Sequence, residues 1–102
     1  MKITRIETGR RTVLMMAHFL HRDPREIDMA QNLRNDWRMT DRDFEVLELW
    51  IEGPISPSVP GFFQDAATDV RVADLQNRRV VATIESLARL IWKSTPASNR
   101  AP

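Results

Sequence analysis

Residues Thr40–Pro54, TDRDFEVLELWIEGP, form the stretch that decides the fold. Thr40 is a favoured helix N-cap residue, and the acids that follow it suit the positive start of a helix. Gly53 supplies a left-handed stop, and Pro54 prevents the helix from continuing. The stretch therefore predicts a helix over residues 40–52 with both ends marked.

Four carboxylates recur on this helix at i, i+4, i+7 and i+11, and we call them the acidic seam: Asp41, Glu45, Glu48 and Glu52. At about 100° per residue they share an arc roughly 60° wide. Most of the remaining circumference is apolar, with Phe44, Val46, Leu47, Leu49, Trp50 and Ile51. We expect a nearly buried helix with one charged edge.

The acidic seam has three readings. Its charges are offset within the chain, by Arg34, Arg38 or the line of Arg11 and Arg22; they meet a basic partner; or they are simply exposed to water. Exposed ion pairs contribute only ~0–1 kcal/mol, so stability alone is a weak reason for four aligned acids. Complementary charge also steers association, which makes the four acids candidate partner-binding residues.

Length and composition favour one soluble domain. The chain has 102 residues, of which 42% are hydrophobic and 28% charged, and it contains no cysteine. A chain without cysteine suits a reducing compartment, so we expect a cytoplasmic protein. The longest apolar run, residues 13–17, is far shorter than the roughly 20 residues of a membrane helix. We expect no membrane span and no signal peptide.

The net charge of +1 hides a division along the chain. Residues 1–22 carry five bases and one acid, residues 23–53 four bases and nine acids, and residues 54–102 six bases and four acids. This balance disfavours nucleic acid as the partner, because no region has a dense cluster of bases.

Apolar periodicity predicts three further helices. The first covers about residues 8–22, the second residues 24–38 behind an Asp23 cap, and the last and longest starts after Asp69 and ends near residue 93. The Pro-rich residues 53–68 read as a crossover loop, or as a polyproline II segment that presents Ile55 and Val59 to a partner. We predict an all-α, small four-helix domain over residues 1–93, with a Pro-rich crossover loop before a long C-terminal helix and a disordered tail at 94–102.

Off-stripe apolar residues on the last helix suggest self-association. The last helix has more apolar surface than a peripheral helix needs to bury, because it carries Val81, Leu90 and Trp92 outside its central stripe. We therefore predict a homodimer through residues 70–93.

No motif in the sequence supports catalysis. His18 and His21 lack metal-ligand spacing, and neither a serine elbow nor a phosphate-binding glycine loop is present. We therefore predict that the protein is not an enzyme and that it has no catalytic residues, no metal and no cofactor. Arg11, His18 and Arg22 share one face of the first helix, which reads as a solvated face, a contact for an acidic partner, or a phosphate contact.

Residues 39–53, MTDRDFEVLELWIEG, resemble the opening helix of LuxR-type DNA-binding domains, whose pattern is Leu-Thr-x-Arg-Glu-x-Glu-Val-Leu-x-Leu, then Gly. That family continues with a short turn and a second helix that leads to a recognition helix. Here the sequence continues with PISPSVP. The departure falls where DNA would be read, so we interpret the match as shared capping chemistry.

These observations predict a non-catalytic regulatory, adaptor or inhibitor protein that binds a larger protein through charged helical faces. The acidic seam would meet a basic partner, and Arg11, His18 and Arg22 would form the opposite pole. The alternative is a small helix-turn-helix-like transcription regulator that uses Arg71, Arg78, Arg79 and Arg89 against DNA.

Overall fold

The computed structural model describes residues 2–102 and is all-α. Its helices are α1 (Arg5–Leu20), α2 (Asp41–Glu52), α3 (Val72–Gln76) and α4 (Ile84–Lys93). Three short 3-10 turns lie at Pro24–Glu26, Gln64–Ala66 and Ala97–Asn99. Across the described residues only isolated β-bridges occur, and no strand. The predicted fold class, a small four-helix domain, is confirmed, although two of the predicted helices differ.

Helix α1 begins at Arg5, three residues before the predicted start, because the Thr4 hydroxyl accepts a hydrogen bond from the Glu7 N–H at 3.0 Å. The helix ends at His21, whose φ of 54° is left-handed. Its buried face includes Thr12 and Met15 as well as the predicted Met16 and Ala17. The Thr12 hydroxyl donates to the Thr8 carbonyl at 2.7 Å, so this buried polar group is satisfied inside the helix.

The helix predicted over residues 24–38 is wrong. The predicted capping box is present, with Asp23 accepting from the Arg25 N–H and Glu26 from the Asp23 N–H, but only one 3-10 turn follows. Asp28 Oδ1 then accepts from the Ala30 N–H at 2.8 Å, and Asn32 Oδ1 accepts from the N–H groups of residues 34 and 35. These side chains compete with helical hydrogen bonding and turn the chain.

The resulting loop lies against the start of α4. The Ile84 and Glu85 N–H groups donate to the carbonyls of Gln31 and Met29, at 3.1 and 3.0 Å, and the Leu33 N–H donates to the residue 82 carbonyl at 2.9 Å. The loop thus satisfies free N–H groups in the first turn of α4, which a helix cannot satisfy by itself.

Helix α2 and its ends are confirmed. The Thr40–Asp43 capping box is present, and Gly53 closes the helix with a φ of 60°. The Pro-rich loop then returns to α2, where the Phe62 and Phe63 N–H groups donate to the carbonyls of residues 50 and 51 at 2.8 and 3.0 Å. Within the loop, the Val59 N–H donates to the Ser56 carbonyl at 3.1 Å, which makes a tight turn there in place of a continuous polyproline II segment.

The single long C-terminal helix is also wrong: it is divided into α3 and α4, and α1 is the longest helix at 16 residues. Asn77 ends α3, and its Oδ1 accepts from the Arg79 N–H at 2.9 Å. Thr83 then caps α4 in a box with Ser86. Val81, one of the residues that suggested a homodimer, is only 1% exposed in this break. The homodimer stays a prediction.

The core lies where α1 packs on α4 and α2 packs on α3. Its fully buried large side chains are Ile3, Met15, Met16, Leu33, Phe44, Leu47, Ile51, Phe63, Leu75, Ile84, Leu87 and Ile91. The C-terminal residues lie against the N-terminus, because the Ile3 N–H donates to the Asn99 carbonyl and the Ala101 N–H donates to the Ile3 carbonyl, both at 2.8 Å.

Candidate protein-binding surface

The first acid of the seam has a cation within the chain. Asp41 lies 2.8 Å from the Arg34 guanidinium, whose side chain is only 13% exposed. Arg34 also donates to the Gln76 carbonyl at 3.0 Å and lies over the Phe44 ring, 4.8 Å from its centroid. Arg34 therefore holds the start of α2 against the end of α3, and Asp41 belongs to this internal contact.

The other three acids have no such cation. Across residues 2–102, no ion pair joins Glu45, Glu48 or Glu52 to an arginine, lysine or histidine. Arg38, a predicted partner, is exposed and lies outside these pairs. Three of the four acids of the seam thus have no ion-pair partner among the described residues.

Glu52 is the most perturbed acid in the seam. Burial raises its pKa, the neighbouring Asp69 carboxyl and the Glu48 charge raise it further, and the Val70 backbone opposes this increase. Its Oε1 atom is buried and has no hydrogen-bond partner among the residues that the structure describes. The neighbouring carboxylates repel each other, so ionisation of Glu52 costs free energy in the folded protein.

The prediction of a nearly buried α2 is wrong. Phe44, Leu47 and Ile51 are fully buried, whereas Leu49 is 59% exposed and Val46 is 40% exposed. The buried three recur at i, i+3 and i+7, and at about 100° per residue they define one side of the helix. That spacing was the signal that Val46 and Leu49 would face outward.

These exposed residues lie with Glu45 on the outer side of α2, and the half-buried Glu48 and Glu52 border them. By helical position, Glu45 comes next to Leu49, the exposed Arg42 lies between Leu49 and Val46, and Val46 lies toward the half-buried Trp50. We call this surface the α2 face and define it by Glu45, Glu48, Glu52, Val46, Leu49 and Trp50.

An aromatic cluster adjoins the α2 face. Trp50 contacts Phe19 of α1 edge-on, with ring centroids 5.3 Å apart, and stacks on Phe62 of the loop, with centroids 6.0 Å apart. His18 lies 5.8 Å from Phe62 on the same measure. These contacts attach the Trp50 side of the face to α1 and to the returning loop.

The predicted basic pole does not form one exposed line. The Arg11 side chain is 19% exposed, and its guanidinium donates to Asp65 at 2.8 Å and to the Phe62 carbonyl at 3.2 Å. Arg22 lies over the Trp37 ring, 5.7 Å from its centroid. His18 is exposed. Arg11 therefore serves contacts inside this chain, whereas Arg22, whose side chain is 54% exposed, lines a surface pocket together with His18.

The arginines of the DNA-binding alternative are exposed, but no recognition helix presents them. Arg71 precedes α3, which has five residues, Arg78 and Arg79 lie in the turn that follows, and Arg89 pairs with Glu85 at 3.0 Å. A loop follows Gly53, where LuxR-type domains have their second helix.

Within the described part of the chain, no three or more His, Asp or Glu residues are grouped to hold a metal ion, and no helix has the length and apolarity to cross a bilayer. No protein-family model, curated protein or solved structure matches the sequence or the fold.

Proposed function

We propose that this chain is a non-catalytic regulatory, adaptor or inhibitor protein of the cytoplasm that binds a larger, basic protein through the α2 face. One observation carries the proposal: three acids that have no ion-pair partner among the described residues lie on the same helix as Leu49 and Val46, which are 59% and 40% exposed. The cytoplasmic location is supported by the absence of cysteine from the sequence.

The two halves of the α2 face have different roles in binding. Apolar side chains at the centre of an interface supply most of the affinity when they become desolvated. Charges at the edge increase the association rate and select the partner. Leu49 and Val46 are therefore the anchors, and Glu45 with Glu48 sets the preference for a basic partner.

A basic amphipathic helix has the chemistry that this face requires. Its apolar stripe would cover Leu49, Val46 and the exposed edge of Trp50, while its lysines or arginines would lie along the acidic seam. A cation near Glu52 would also offset the repulsion from Asp69, so binding would lower the pKa of Glu52.

A synthetic peptide tests this proposal without knowledge of the natural partner. The probe is a fluorescein-labelled helical peptide of leucine and lysine in amphipathic order, and its control has the same composition in scrambled order. We expect saturable anisotropy with the ordered peptide and at least about tenfold weaker binding by Glu45→Lys plus Glu48→Lys, by charge repulsion, and by Leu49→Ser, by loss of the anchor.

The matched control is Val80→Ser, a similar loss at a residue that is 37% exposed outside the face. It should bind the ordered peptide like the natural sequence. Equal binding of both peptides, or equal binding by the face variants, would contradict the proposal.

A further inference from the structure

We propose that a second site, a cleft between α1 and α4, binds a small organic anion with a flat ring. The cleft has a volume of about 390 Å³, within the range of roughly 300–1,000 Å³ that is typical of small-molecule sites. The side chains that matter come from Arg5, Arg89, Lys93, Trp92 and Met29. None of them belongs to the α2 face.

The polar lining of the cleft is cationic. Arg5, Arg89 and Lys93 line it together with one acid, Glu85, so cations exceed acids by two. Glu85 forms its ion pair with Arg89, at 3.0 Å. In the part of the chain that the structure describes, Arg5 and Lys93 have no carboxylate within ion-pair distance. Their N–H groups therefore suit a carboxylate or phosphate on a ligand.

Trp92 holds cations at this end of the molecule. The guanidinium groups of Arg5 and Arg100 lie 5.6 and 5.7 Å from the centre of its ring. An arginine that contacts an indole ring keeps a defined position while its N–H donors still serve an anion. Part of the cationic lining is therefore positioned before any ligand arrives, which reduces the ordering cost of binding.

The floor of the cleft is apolar, because residue 9 is a buried glycine on which Met29 packs directly. A Cβ atom at Gly9 would lie 3.0 Å from Met29 Cε. The polarizable sulfur of Met29 favours contact with an aromatic ring, beyond what an aliphatic chain would gain, and the planar Arg5 guanidinium over Trp92 offers a second flat surface for that ring. Ala88, on α4, adds a small apolar side chain to the lining.

Charge and shape together define the ligand class: one or two negative charges attached to an aromatic ring. Aryl carboxylates and nucleoside monophosphates share this chemistry and differ in the anionic head. The site has the opposite charge to the α2 face and lies on different helices, so the two proposals fail separately.

The experiment follows the indole N–H resonance of Trp92 by NMR, assigned with Trp92→Phe, during titration of the full chain. The probes are 2-naphthoate and adenosine monophosphate, and the controls are adenosine and inorganic phosphate. We expect at least one ring-bearing anion to shift the resonance saturably, with a dissociation constant at least about tenfold below those of both controls, because head and ring act together. Which probe binds identifies the head.

Variants that replace cations with glutamine locate the binding site. Arg89→Gln plus Lys93→Gln should lower the affinity for the probe about tenfold or more, because two cations are removed from the cleft. Arg78→Gln plus Arg79→Gln makes the same charge change outside the cleft and should leave affinity unchanged. The proposal is overturned if neither ring-bearing anion saturates, if inorganic phosphate binds as tightly as they do, or if both double variants weaken binding equally.

Discussion

At the scale of single residues, exposure separates side chains that the sequence pattern treats alike. Leu47 and Leu49 are both leucines of α2, yet Leu47 is 0% exposed and Leu49 is 59% exposed. The acidic seam is divided in the same way, because Asp41 has Arg34 as its counter-ion and Glu45 has none. Sequence periodicity placed these residues on the helix, but their environments depend on which elements pack against it.

Leu47→Ala and Leu49→Ala test which side of α2 is buried. Removing the buried Leu47 side chain leaves a cavity and should lower the free energy of unfolding by about 2–5 kcal/mol. The exposed Leu49 leaves no cavity, so its loss should change that energy by no more than about 0.5 kcal/mol. Urea titration measures both variants, and a larger effect at Leu49 would contradict the orientation of α2.

The environment of Glu52 predicts a pH dependence of stability. Its pKa is raised in the folded state from the ordinary value of 4.5, mainly by burial and then by Asp69. A carboxyl with a raised folded pKa binds more protons when folded, so its contribution to stability falls as the pH rises through and above its ordinary pKa. Glu52→Gln removes this loss.

We therefore expect Glu52→Gln to raise the urea midpoint at pH 7 and to have a smaller effect at pH 4. Glu45→Gln, at an exposed position of the same seam, is the matched control and should have little effect at either pH. A variant at Glu52 that is less stable than the natural sequence at pH 7 would show that the Glu52 charge is stabilised in the fold.

At the scale of elements, helix ends were predictable where cap, stop and apolar period coincided, as they do for α2. Residues 24–38 show the limit: the Asp23 cap is present, but Asp28 and Asn32 bind nearby backbone groups and end the helix after one turn. Apolar spacing also continues across the break between α3 and α4, which hid the caps at Asn77 and Thr83. The three acids of the α2 face were predictable from the sequence, whereas its exposed apolar side was not.

Thr83→Ala distinguishes the observed break from one continuous helix. Thr83 is the N-cap of α4, and its hydroxyl accepts from the Ser86 N–H at 3.1 Å, so its loss should cost about 1 kcal/mol. Inside a continuous helix the same change would stabilise the protein, because alanine is the better helix former. Thermal unfolding shows whether Thr83→Ala lowers or raises the melting temperature, with Ser98→Ala as an exposed control.

Gly61→Ala tests the closure of the Pro-rich loop. A Cβ at Gly61 would lie 2.5 Å from the Gly53 backbone nitrogen, which cannot move without displacing the end of α2. We expect destabilisation of about 1–3 kcal/mol, measured by urea titration. Ser58→Ala, at the exposed tip of the loop, should be close to neutral, and an equal effect at both positions would contradict this packing.

At the scale of the whole molecule, charge is segregated onto different surfaces. The α2 face is acidic and partly apolar, the cleft between α1 and α4 is cationic, and Arg11 is used within the chain. We expect no salt-dependent shift of random duplex DNA in a gel, because the cationic cleft gathers three bases at one point and the described helices present no extended basic face to a phosphate backbone. Sedimentation tests the predicted homodimer separately, and a monomer at tens of micromolar would contradict it.

The most direct test of the central claim is affinity capture from the native host, compared between the natural chain and its face variants by quantitative mass spectrometry. We expect a basic protein that is retained by the natural chain and by Val80→Ser, and lost from both Leu49→Ser and Glu45→Lys plus Glu48→Lys. If the face variants retain the same proteins at the same recovery as the natural chain, the α2 face is not the docking surface.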